Sequence, residues 1–160
     1  MDTRLSRISG DLALNIVKND VQVLIKKAED YGDSWKKRGG GGAFMMLARK
    51  WDRISQQTQQ RSLLAAMGND DRDEGIRDDV RDLRRYLILV LHELHEPLDY
   101  AEGMTVDSQF MAWELLEQAA EFNVNKWDVF NVKPGLVLNL FRSLLDLELK
   151  GWSDGSIASL

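Results

Sequence analysis

Apolar residues recur at steps of three and four along most of this chain, which predicts helices rather than strands. Leu14, Val17, Val21, Leu24, Ala28 and Tyr31 mark a first helix over about residues 10–31, with Asp11 near its start and Gly32 placed to stop it. Phe44, Leu47, Ala48, Trp51 and Ile54 set a second over about 43–59, and Arg49, Lys50 and Arg53 fall outside that stripe. Residues 55–73 are polar, with a break at Gly68-Asn69-Asp70-Asp71. A third helix, over about 73–96 and ended by Pro97, carries Ile76, Val80, Leu83, Leu87, Val90 and Leu94 on its core face. A helix over about 107–122, a polar connection and a helix from Pro134 to Lys150 follow. Proline suits the first turn of the last one and Gly151 the position past its end. The tail, 152–160, reads as loosely held.

Composition narrows the picture. The 160 residues suit one all-α domain over 1–160, with a core over about 10–97 and a C-terminal helical extension over about 105–151. Two prolines and a dense supply of Leu, Ala and charged residues favour helix throughout. No cysteine is present, which excludes disulfides, thiolate catalysis and cysteine-based zinc sites. No apolar run approaches the roughly 20 residues of a membrane span, and the first residues lack the pattern of a signal peptide. A cytoplasmic protein with no membrane partner is expected. The net charge of −5 argues against general nucleic-acid binding, but locally clustered basic residues leave small anions open. Leu136, Leu140, Leu144, Leu145 and Leu147 make the last helix strongly apolar, suited to packing on the core or to a subunit contact.

The third helix also carries chemistry. Glu74, Asp78 and Asp82 stack one turn apart on one stripe, and three like charges at that spacing need something positive beside them. One reading is a Mg²⁺ or Mn²⁺ site, since hard cations take oxygen ligands. It requires a further carboxylate from a facing helix, with Asp30 and Asp33 the leading candidates, Glu29 and Asp20 weaker ones, and Asp79 an alternative to Asp78. The other reading is a solvated acidic helix start paired with Arg77, Arg81 and Arg85.

Other features are weaker. Lys36-Lys37-Arg38 followed by Gly39 to Gly42 either presents backbone N–H groups to phosphate or is a flexible connector, and it lacks the Gly-Lys-Ser/Thr of a Walker loop. Lys50 and Arg53, three apart, either reach a phosphate or pair with the acids. Of the aromatics near these motifs, Trp51 fits the core face, whereas Trp35 lies in a loop. His92-Glu-Leu-His95 has a spacing of three where a zinc-protease helix needs four, so both histidines read as helix-end residues.

The order of these motifs is more specific than any one of them. Lys27-Ala-Glu-Asp30-Tyr31-Gly32, a basic glycine loop, Lys50-Trp-Asp-Arg53 and Glu74-Gly-Ile-Arg-Asp78-Asp-Val-Arg-Asp82-Leu-Arg-Arg-Tyr86 follow one another. Over about residues 15–96 the chain resembles the nucleotide-modification-associated domain, a phage-type branch of the MazG-like all-α nucleotide pyrophosphatases. The resemblance implies a helical bundle, often a homodimer or higher homo-oligomer, here with an additional C-terminal helical pair. In a phage-encoded protein, the compartment would be the host cytoplasm. The implied reaction is Mg²⁺-dependent hydrolysis of a nucleoside triphosphate to the monophosphate and pyrophosphate. Carried over, Asp30, Glu74, Asp78 and Asp82 become metal ligands and catalytic residues. Lys27, Lys50 and Arg53 would neutralise phosphate, and Tyr31, Trp35 or Tyr86 would contact the rest of the nucleotide. Two departures stand out: the first-helix Glu-x-x-Glu is absent, and Arg85 projects a cation from the acidic stripe. Nucleotide binding without turnover, in the setting of phage–host conflict, and a plain helical interaction protein are the alternatives.

Overall fold

In a computed structural model describing residues 5–59, 71–123 and 125–151, the three long amphipathic stripes wind as helices. The second and third bury most of the faces expected of them, whereas on the first only Val17 is buried, Leu14, Val21 and Leu24 are half-buried and Ala28 is exposed. Helix α1 covers Asp11–Tyr31, α2 Gly39–Gln59 and α3 Asp71–Glu93. They are followed by α4 (Gln109–Glu121), α5 (Lys126–Val132) and α6 (Pro134–Leu149). A short 3-10 turn, Ser34–Lys36, joins α1 to α2. The protein is therefore all-α. A two-residue parallel pairing, β1 (Arg7–Ile8) with β2 (Asp99–Tyr100), ties the N-terminal segment to the chain leaving α3. No helix among the described residues is long and apolar enough to cross a membrane.

The core follows the period-3.6 faces. Leu47, Ile54, Ile76, Val80, Leu83, Leu87 and Val90 are fully buried between α2 and α3. At the other side of α2, Trp113 of α4 stacks between Phe44 and Trp51, with ring centroids 5.6 and 5.5 Å apart. Helix α6 is the second partner of α3. Leu140, Leu144, Leu145 and Leu147 are buried within the chain, so this face is used in packing and is not left open for a second subunit. A buried hydrogen bond from Gln109 Nε2 to the Ser143 carbonyl (2.9 Å) joins α4 to α6. The Tyr100 hydroxyl donates to Asp146 (2.9 Å), and burial, then that bond, push its phenol up to about 12.

Three local outcomes differ from the sequence expectation. The polar connection before Pro134 contains α5, capped by Asn125, whose side chain accepts from the Trp127 N–H (3.1 Å). A helix of seven residues has little stability of its own, and buried Val129 and Phe130 hold it. Helix α3 stops short of Pro97. His95 takes a left-handed φ of 57°, and the Glu96 and His95 N–H groups donate to the Leu91 and His92 carbonyls (2.9 and 3.0 Å). This is a Schellman ending with histidine at the position glycine usually fills.

The third difference concerns the glycine run. Gly39–Gly42 is not a flexible connector but the first turn of α2. A Cβ on Gly40 would lie 2.2 Å from the Trp127 backbone nitrogen, so glycine is what lets α2 meet α5. A Cβ on Gly41 would meet nothing within 4 Å. We expect Gly40→Ala to lose about 1–3 kcal/mol in chemical denaturation, the usual cost of overpacking. Gly41→Ala should gain about 0.5–1 kcal/mol from better helix propensity. Equal stabilities of the two variants would contradict this packing.

Candidate functional site

Helix α3 turns about 100° per residue, so neighbouring acids on it face different surroundings. Asp78 is 63% exposed and pairs with Arg81 (3.5 Å). Asp79, one step on, is only 4% exposed and faces α2, and Asp82, one turn later, lies beside it at 25%. Of the acids on this helix, Asp79 and Asp82 face α2, while Asp78, on the stripe with Asp82, is turned outward.

Helix α2 answers with cations. Lys50 Nζ is 3.1 Å from Asp82 Oδ2 and 3.7 Å from Asp79 Oδ1, and Arg53 is 3.5 Å from Asp79. Lys27 of α1 reaches Asp82 at 4.0 Å, and Arg85 does so at 3.8 Å. Four cations thus crowd two carboxylates. Burial lifts the Asp79 carboxyl above its ordinary range despite the opposing charges of Arg53 and Lys50, and Asp82 adds to the rise.

Beside this cluster lies a cavity of about 250 Å³ lined by Met46, Arg49, Lys50, Arg53 and Tyr86. Arg49 has no ionic partner among the described residues. The cavity is smaller than the roughly 300–1,000 Å³ of sites that enclose a drug-sized ligand, and three of its lining residues, Arg49, Lys50 and Arg53, are cationic. A larger space, about 630 Å³, is lined by Asp33, Ser34, Lys36, Lys37, Glu93 and Trp127. Its charges balance, and Lys36 is tied to Glu93 at 2.8 Å, so it offers an anion no comparable surplus.

A buried ion network orients these groups. Arg84 of α3 grips Asp20 of α1 with two hydrogen bonds (2.6 and 2.8 Å) and donates to Glu148 of α6 (2.7 Å). The Arg84 and Asp20 side chains are 1% and 0% exposed. Arg85 donates to the same Asp20 (3.0 Å) and so is held beside Asp82. Burial opposes the charge on Glu148, but Arg84 and then Arg81 outweigh it and hold the carboxyl below its ordinary range.

Of the residues singled out in the sequence, Lys50, Arg53 and Tyr86 line the cavity, Asp82 pairs with Lys50 of that lining, and Lys27 reaches Asp82. Asp30 is exposed, with no ionic partner among the described residues. Trp35 packs edge-on against Trp127, with centroids 5.9 Å apart. The side chains of Tyr31 and Glu74 lie outside the described ones. Arg49, Arg84 and Glu148 were not singled out. Arg84 had a signal: it continues the buried positions Val80, Leu87 and Leu91, where a charge demands a partner. Asp20 does the same between Val17 and Leu24.

For a metal, the donor set is limited. Among the described residues no group of three or more His, Asp or Glu side chains is placed to hold an ion. Mg²⁺ commonly binds through one or two carboxylates plus substrate phosphates, and Asp79 with Asp82 fits that arrangement. No family model matches the chain, and no curated protein or solved structure matches it either.

Two expectations follow. Arg84→Met should cost about 3–5 kcal/mol in denaturant unfolding, because Asp20 keeps a buried charge, and adding Asp20→Asn should recover part of that loss. A cost under about 1 kcal/mol would contradict the network. Glu148 contributes stability above its unfolded pKa of 4.5, and that stability is lost as pH falls through the lowered folded value. Wild type should therefore converge on Glu148→Gln as a denaturation series runs from pH 7 to pH 3; a constant gap would exclude this linkage.

Proposed function

We propose that the α2–α3 cleft binds the phosphates of a nucleoside triphosphate with Mg²⁺, and that the protein is a nucleotide pyrophosphohydrolase. The observation that carries this reading is the cation surplus around the cavity lined by Arg49, Lys50, Arg53 and Tyr86, two of whose cations, Lys50 and Arg53, also pair with Asp79 or Asp82. Arg49 and Arg53 offer planar forks for phosphate oxygens, and Lys50 adds a mobile point charge. Tyr86 borders the cavity where the sugar or base would emerge. Asp79 and Asp82 would hold the cation, which supplies Lewis-acid activation of phosphate and water when bound. In the reaction, a water oxygen forms a bond to the α-phosphorus and the bond to the bridging α–β oxygen breaks. Pyrophosphate leaves, the monophosphate remains and the water proton is released. The resemblance of the motif order to that of MazG-like pyrophosphatases supports the same reaction.

Binding without turnover is the second reading. It is favoured by the way Lys27, Lys50, Arg53 and Arg85 already neutralise the two carboxylates.

Purified protein with Mg²⁺ should release pyrophosphate from at least one member of a ribo- and deoxynucleotide panel. Asp82→Ala should abolish release, and outward-facing Asp78→Ala should retain it. Intact nucleotide throughout, with Mg²⁺ and with Mn²⁺, would overturn hydrolysis. A nucleotide-dependent rise in Tm with the nucleotide recovered intact would select the second reading.

A further inference from the structure

The position of Lys50 has a consequence for the order of binding. Its ammonium lies within 3.1 Å of Asp82 and 3.7 Å of Asp79, touching both carboxylates, and the same side chain lines the cationic cavity. Arg85 also approaches Asp82, but its guanidinium is fixed on buried Asp20. Arg53 reaches Asp79 alone. Lys27 is as flexible but reaches Asp82 alone, at 4.0 Å, so among the described residues Lys50 is the flexible cation in contact with both carboxylates.

We propose that Lys50 is an exchangeable counter-ion: it occupies the carboxylate pair in the nucleotide-free protein and yields it to a divalent cation that arrives with a nucleotide. This rests on the α2–α3 cleft being the site for a metal–nucleotide complex. Two cations at contact distance repel, so free metal must compete with Lys50 for Asp79 and Asp82. Phosphate in the cavity changes the balance, because it gives the ammonium a new anionic partner as the carboxylates are released. Metal and nucleotide therefore favour each other's binding through one lysine, a reciprocal coupling. When Lys50 leaves, Arg53 stays on Asp79 and Lys27 and Arg85 stay on Asp82, and the arriving cation replaces the charge that Lys50 withdraws.

The test separates two affinities on the full chain. Mn²⁺ binding without nucleotide is read by electron paramagnetic resonance. Binding of an α,β-methylene nucleoside triphosphate analogue in saturating Mn²⁺ is read by calorimetry. Lys50→Met should bind Mn²⁺ alone at least about tenfold more tightly than wild type, because one adjacent positive charge is gone. The same variant should bind the analogue more weakly. Lys50→Gln serves as a second variant of intermediate polarity, with melting curves to establish folding, and should shift both affinities in the same directions. Arg49→Gln should weaken the analogue and leave Mn²⁺ binding alone unchanged, since Arg49 touches no carboxylate among the described residues. If wild type binds the analogue with Mn²⁺ but both Lys50 variants bind free Mn²⁺ no more tightly than wild type, the exchange is wrong and the site reading stands. If wild type binds no analogue at all, both fall.

Discussion

Arg84 carries a permanent charge into the middle of the bundle, and the arrangement of α1, α3 and α6 follows from what it needs there. A guanidinium with 1% exposure must find acceptors for its fork, and Asp20 supplies a bidentate one while Glu148 supplies another. Such a pair adds little net stability over well-packed apolar side chains, because both charges leave water. Its effect is on orientation. The fork meets one carboxylate at one rotation of α3 about its axis, which fixes the direction of every other side chain on that helix.

That rotation sets the candidate site. With Arg84 turned toward α1 and α6, Asp79, Asp82 and Tyr86 face α2, and Asp78 faces solvent. Arg85, next in sequence, is captured by the same Asp20 and becomes a fixed cation at the edge of Asp82. Lys50 and Arg53, three apart on an antiparallel helix, then match Asp79 and Asp82, also three apart. The site is a junction where a structural ion network reaches the surface, and its excess of positive charge is what recommends it for phosphate.

Much of this was legible in the residues. The faces of α2 and α3 follow periodicity, and spacing marked Lys50, Arg53 and Asp82 as charges in need of partners, whereas Tyr86 was marked by the resemblance. What periodicity could not supply was rotation. Asp78 and Asp79 differ by one position, and only contact with α2 decides which is buried. Asp20 entered only as a weaker ligand candidate and Arg84 not at all, because their partnership spans 64 residues of chain. The glycine run resembled a loop for a similar reason: its requirement comes from the Trp127 backbone, far away in sequence. Helix α5 was invisible because so short a segment is held by packing rather than by its own pattern.

The central claim is that nucleotide phosphates enter the α2–α3 cleft beside Asp79 and Asp82. Nuclear magnetic resonance of the labelled protein, titrated with a non-hydrolysable nucleoside triphosphate and Mg²⁺, tests it most directly. The account predicts that the largest shifts fall on the Arg49 and Arg53 guanidinium signals, the Lys50 side chain and the backbone of Asp79 through Tyr86. Shifts centred on Lys36, Lys37 and Trp127, or no shifts at saturating nucleotide, would contradict it.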